Sequence, residues 1–176
     1  MKKISIIIVL LLISCWASAQ PKRFAAGVRL GEPSGLNLRY YLDDGAKALD
    51  LNIGTYGGMW GNVRKYRSGY YKNIGLAVSA NYLFTHQLFG KDNVMGYYGF
   101  GGQINSRRYY PDQFNSCGQV FYDKTISLGG SGLGGVEYFL PDGPLSIFLD
   151  AGLYVEVLPG FLFMHPQIGA GVRLNL

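Results

Sequence analysis

From Leu145 to Val157 the chain alternates. Leu145, Ile147, Leu149, Ala151, Leu153, Val155 and Val157 form one row, and Ser146, Phe148, Asp150, Gly152, Tyr154 and Glu156 form the other. Side chains of an extended chain point to opposite faces in turn, so this period makes a β-strand with one apolar face. The last segment repeats it: Leu162, Met164, Ile168, Ala170, Leu174 and Leu176 oppose His165, Gln167, Gly169, Gly171, Arg173 and Asn175. Beyond the first twenty residues no segment sustains a 3.6-residue apolar period, which sets the class as all-β.

The alternation predicts strands over Phe24 to Gly31, Leu36 to Leu42, Lys47 to Gly57, Tyr70 to Phe84, Val94 to Arg107, Thr125 to Leu140, Leu145 to Val157 and Phe161 to Leu176. That is an even set of about eight, on a chain long enough for one domain with a real core. The connections fall into two groups. "DDGA", "GKDN" and "PDGP" are short and rich in turn residues, whereas "GGMWGNVRKYRSG" and "YPDQFNSCGQVFYDK" are long and join other strands. One end of the structure is therefore expected to carry tight turns only. The other carries both long loops, "EPSG" and the turn at Pro159 and Gly160, so Gly31 to Gly35 is expected to be a hairpin connection with Glu32 and Ser34 facing water or the rim.

The second row decides which face is outside. A water-facing row usually carries Lys and Glu in quantity, but here it is Gly, Ser, Asn, Gln and a few charges. Lys22, Lys47, Lys65, Lys72, Lys91 and Lys124 all sit at strand tips, turns or loops. Small polar residues suit the cramped interior of an eight-stranded barrel, as do the 26 glycines, notably in "GFGGQ" and "LGGSGLGG", which continue the strand pattern. Neither stretch is a phosphate loop, because no helix or Lys-Ser/Thr pair follows. By parity the inward row holds Arg29, Arg39, Asp50, Asn52, Ser79, Asn81, Gln103, Asn105, Glu137, Asp150, Glu156, Gln167 and Arg173. Its opposite charges are balanced, which favours a paired polar plug over an open pore.

Aromatic residues gather at two levels. Tyr40, Tyr41, Tyr82, Phe84, Tyr97, Tyr98, Tyr138 and Phe139 lie near the short turns, and Tyr56, Trp60, Tyr70, Tyr71, Tyr109, Tyr110, Phe161 and Phe163 near the long loops. Two such belts mark the two interfaces of a membrane. Only a closed barrel allows a sheet to cross a bilayer, because every backbone group must then pair within the protein.

The start of the chain fits export. Lys2 and Lys3 precede the apolar run "ISIIIVLLLIS" and then "CWASAQ": a charged region, a short apolar core about half the roughly 20 residues of a spanning helix, and a small-residue cleavage site. Residues 1–19 are read as a cleaved signal peptide and 20–176 as the barrel domain. The other cut, a lipobox-like "LISC" with lipid on Cys15, is disfavoured by Trp16. Cleavage before Gln20 leaves Cys117 as the one cysteine, so no internal disulfide forms. It also lowers the formal charge from +5 to +3 by removing Lys2 and Lys3. So mild a charge, with no nucleic-acid motif, gives no support to nucleic-acid binding.

Little points to chemistry. His86 and His165 are the two histidines; His86 is expected near the short turns and His165 near the long-loop rim, within reach of Glu156 but with no nearby serine placed as a nucleophile. Two distant histidines do not fill a coordination shell, so no metal, cofactor or catalytic residue is expected. The long loops hold Arg64, Lys65, Arg67, Arg107 and Arg108 with interleaved tyrosines. These either pair with lipopolysaccharide phosphates or are solvated loop charge.

Several segments resemble a family of small bacterial outer-membrane β-barrel proteins of largely unknown function. They are "GEPSGLNLRYYL", "ANYLFTH", "YYGFGG", "PLSIFLDAGLYVEVLP" and the closing "IGAGVRLNL". Ser34 stands where that family usually has threonine, and Leu176 where such barrels generally end in Phe or Tyr. The resemblance implies a monomeric transmembrane up-and-down barrel of eight antiparallel strands, assembled in the cell outer membrane by the assembly machinery that reads the last residue. It brings no catalytic residues. The expected role is non-enzymatic, structural or surface-interacting, with a narrow transporter of small or apolar solutes and a lipid-modifying enzyme as the alternatives.

Overall fold

The computed structural model describes residues 23–59, 69–111, 123–141 and 143–176. Eight antiparallel strands follow one another: β1 (Phe24–Gly31), β2 (Ser34–Leu42), β3 (Lys47–Tyr56), β4 (Gly69–Gln87), β5 (Val94–Pro111), β6 (Asp123–Phe139), β7 (Leu145–Leu158) and β8 (Phe163–Asn175). They pair in sequence order, and β8 returns to β1 to close a barrel. Closure leaves no sheet edge where both neighbours are present.

Register sets the tilt. Phe24 pairs with Tyr40 and Tyr40 with Leu49, and the line continues through Tyr82, Phe100, Gly132, Leu153 and Pro166. On β8, Ala170 pairs with Leu30 and Pro166 lies four residues beyond it, so the circuit closes ten residues past Phe24, level with position 34. A stagger of this size in eight strands tilts them by about 40°, and each pairing step climbs by about 1.25 residues.

The alternation sorts the side chains as the sequence predicts. Val28, Leu30, Leu36, Leu49, Ile53, Leu76, Ile104, Leu149 and Val172 are exposed on the outer wall, while Arg29, Arg39, Asp50, Gln103, Glu137, Asp150 and Arg173 are buried inside. This is the reverse of a soluble barrel. The interior has room for arginines because glycines face them. A Cβ at Gly169 would overlap the Arg29 guanidinium, and one at Gly171 would lie 2.6 Å from Cζ of Phe148.

Two expectations need correction. Tyr41 and Tyr97 do not join the short-turn belt: Tyr97 is buried, and the Tyr41 hydroxyl bonds Glu137 at 3.3 Å. Each is next to a tyrosine that does face outward, Tyr40 and Tyr98, and neighbours in a strand cannot share a face. Likewise Tyr56 is fully buried. The outward short-turn cluster that remains includes Tyr82, Phe84 and Tyr98, with Phe84 stacked on Tyr98 at 5.6 Å. The second correction concerns the first hairpin. Only Glu32 and Pro33 join β1 to β2, and Glu32 is fully buried rather than turned to water or the rim. The bend is sharp enough that Gly31 takes φ +126°, a backbone angle that favours glycine.

Candidate functional site

The lumen holds two tiers of charge. In the lower tier, Arg39 on β2 reaches across to Glu137 on β6 (Nη1 to Oε2, 2.8 Å) and sideways to Asp50 on β3 (Nε to Oδ2, 2.8 Å). Arg173 on β8 lies 2.9 Å from Glu137 Oε1 and 3.5 Å from Asp50 Oδ2, in ion-pair contact but out of line for hydrogen bonds, while its Nε donates to Asn37. Asn37 and Asn52 both donate to Asp50 Oδ1, at 2.9 and 2.8 Å, and the Ser146 hydroxyl donates to Glu137 at 2.6 Å. Two arginines and two carboxylates make a neutral cluster with most lone pairs filled. Such a cluster survives burial where a lone charge would not. Aromatic rings complete the packing: the Arg39 guanidinium sits 4.2 Å from the Tyr97 ring and that of Arg173 3.5 Å from Phe148.

Above it, Arg29 on β1 pairs with Asp150 on β7 at 2.5 Å and also donates to the Pro33 carbonyl. Neutral amides follow. Gln167 donates to Gln103 at 2.8 Å, Gln103 to Asn105 at 2.7 Å, and Asn105 to Ser127 at 3.2 Å, while Ser131 donates to Asn81 at 2.6 Å.

At the long-loop end, Glu32 swings into the lumen. It accepts from the amides of Gly57 and Met59, the latter at 3.0 Å, and contacts His165 Nε2 at 3.1 Å. Burial alone would raise the Glu32 carboxyl. The His165 bond and the two amides outweigh it and hold the carboxyl below its ordinary value of about 4.5. One side chain thus ties the first hairpin to the start of the long loop after β3 and to β8. Tyr56 packs on the His165 ring at 4.7 Å.

The lumen residues expected from parity, Arg29, Arg39, Asp50, Asn52, Asn81, Gln103, Glu137, Asp150, Glu156 and Arg173, are all buried inside the barrel. Parity missed Glu32, which lies between strands where alternation says nothing. The only signal was a lone carboxylate between Gly31 and Pro33, a connection too short to carry it outward. His165 meets Glu32 rather than the expected Glu156, which instead accepts from the Gly160 amide at 2.7 Å. His86 lies on the outer wall, stacked on Tyr98 at 5.6 Å. Arg107 and Arg108 lie on the outer part of β5, level with Thr125 and Lys124 of β6. Arg64, Lys65, Arg67, Cys117 and the leader, including Cys15, fall outside the described residues. Among the described residues no group of three His, Cys, Asp or Glu side chains could hold a metal. At the short-turn mouth a cavity of about 350 Å³ opens between Tyr41, Met95, Tyr97 and Phe139 and reaches Glu137. Its polar groups Tyr41, Glu137 and Asn175 are already bonded to one another or to Ser146.

An inside-out barrel with a charge-paired lumen defines a class of protein rather than an activity. No protein-family model matches the chain, and no curated protein does. Among solved structures it is similar to Neisserial surface protein A, NspA, at 14% identity and a TM-score of 0.53, over 87% of this chain and 94% of that one. At this identity the likeness shows the fold alone. The eight-stranded barrel is common to both.

Proposed function

We propose that the protein is an integral outer-membrane barrel with a non-enzymatic, structural or surface-interaction role. The observation that carries this reading is the inverted wall: large apolar side chains exposed outside, ion pairs buried within. Exposing rows of Leu, Ile and Val around a whole barrel is tolerable only in hydrocarbon. On this reading the short turns face the periplasm and the long loops the exterior. Arg64, Lys65, Arg67, Arg107 and Arg108 then stand where lipopolysaccharide phosphates lie, and the outer-membrane assembly machinery inserts the chain as a monomer.

The cross-lumen pairs support a plug. Opening a passage would separate Arg39 from Glu137 and Arg29 from Asp150 in a space of low dielectric. Both Glu32 oxygens are engaged, by the Gly57 and Met59 amides and His165 Nε2, and the His165 ring is wedged between Tyr56 and Phe163, which supports a structural fastening over a catalytic one. The test has two parts. Expressed with its leader, the protein should fractionate with outer membranes and migrate differently on a gel before and after boiling. In planar bilayers it should show no reproducible conductance. Recovery as a soluble periplasmic protein would overturn the location, and steady single-channel currents would favour a narrow transporter.

A further inference from the structure

The wall of the barrel is not equally tall all round. β1, β2 and β3 have 8, 9 and 10 residues, whereas β4, β5 and β6 have 19, 18 and 17. On β7 the apolar row runs from Leu145 to Val157, and on β1 only from Phe24 to Leu30. At about 3.3 Å per residue and a tilt near 40°, these rows stand roughly 30 and 15 Å tall. The short-turn ends are level, so the difference falls entirely at the long-loop end, above the β1–β2 hairpin.

β8 records the same gap. Its pairing with β1 stops at Gly31 and Gly169, and the Ile168 carbonyl then accepts from the Glu32 amide. Backbone groups two residues apart face the same side, so Pro166 and Met164 turn towards β1 where β1 has already ended. Proline in mid-strand is tolerated at a free edge because it needs no donor there. Among the described residues nothing pairs with that edge beyond Ile168. Bare backbone cannot lie in hydrocarbon. Just below, a groove of about 490 Å³ runs over the outer wall between Val28, Leu30, Leu36, Ile53 and Leu76, with Ser34 and Thr55 along it.

We propose that the β1–β2 hairpin forms a lateral notch into which an outer-leaflet lipid sinks. Its acyl chain lies in the groove, and its polar head is level with Ser34, Thr55 and the free edge of β8. The apolar wall below matches the acyl chain, and the backbone above it, unpaired among the described residues, needs the hydrated headgroup layer rather than hydrocarbon, so the leaflet thins on that side of the barrel only. The inference rests on the membrane location proposed above.

Nitroxide labels at Thr55→Cys and Val155→Cys, each with Cys117→Ser, test it in dioleoylphosphatidylcholine vesicles. The stagger puts Val155 about one residue higher than Thr55, so an even membrane would leave Val155 the wetter site. Collisions with a water-soluble nickel chelate should instead be several-fold more frequent at Thr55, and collisions with oxygen more frequent at Val155. Two oxygen-rich, nickel-poor labels would overturn the notch and leave the location standing. Two nickel-rich labels would mean that the barrel is not embedded, and the location itself would fail. If Thr55→Cys does not fold, Ser34→Cys on the outward row of β2 against Leu153→Cys, which the stagger puts at the same level, reads the same contrast.

Discussion

At the scale of single residues, the lumen is held by charges that cannot be removed one at a time. Glu137 faces both Arg39 and Arg173. Glu137→Ala leaves two buried guanidiniums sharing Asp50 alone, and should cost on the order of 3–5 kcal/mol in a denaturant titration of the detergent-solubilised barrel. A loss under about 1 kcal/mol would mean that water enters and replaces the carboxylate. Glu32 carries a pH dependence of defined sign. Its carboxyl is held low in the folded protein, so the unfolded chain takes up the proton first as pH falls. Its stabilisation is complete above about pH 4.5 and disappears as pH drops through the lowered value. Hydrogen exchange at the Gly57 and Met59 amides, corrected for intrinsic rate, should therefore accelerate in acid. In Glu32→Gln it should be fast already at neutral pH.

At the scale of elements, β8 is two strands in one. Its inner part is paired on both sides, and beyond Ile168, whose carbonyl accepts from the Glu32 amide, Pro166 and Met164 meet no strand on the β1 side among the described residues. Pro166→Ala should then change stability by no more than about 0.5 kcal/mol, since no ladder bond is regained. Ala170→Pro, four residues inward and opposite Leu30, removes a ladder donor and should cost about 3 kcal/mol or more. Equal effects at the two positions would show that β8 is paired along its whole length. The contrast also shows what was legible in sequence. Alternation located β8 within two residues at its outer end, but it passed over Pro166, the gap in the apolar row between Met164 and Ile168. Its meaning depends on where β1 stops.

At the scale of the whole molecule, the outer wall needs an apolar solvent. Leu30, Leu36, Ile126, Leu149 and Leu158 are among the exposed side chains, and no water-soluble surface carries so continuous a band. Detergent removal without lipid should precipitate the purified protein, as followed by light scattering; a clear monodisperse solution would contradict the inverted wall. Strand number, direction and facing all follow from a period of two, because that period is a property of the extended backbone and needs no partner. The lumen residues named from parity were accessible for the same reason. Three things were not: which carboxylate meets which arginine, that Glu32 rather than Glu156 faces His165, and that the outer part of β8 stands beyond the end of β1. Pairing across the lumen depends on strands far apart in the chain, such as β2 with β6, brought face to face by a ten-residue stagger. The height of the wall depends on where each neighbour ends. Periodicity determined the faces of each strand, and only closure of the barrel decided what each face meets.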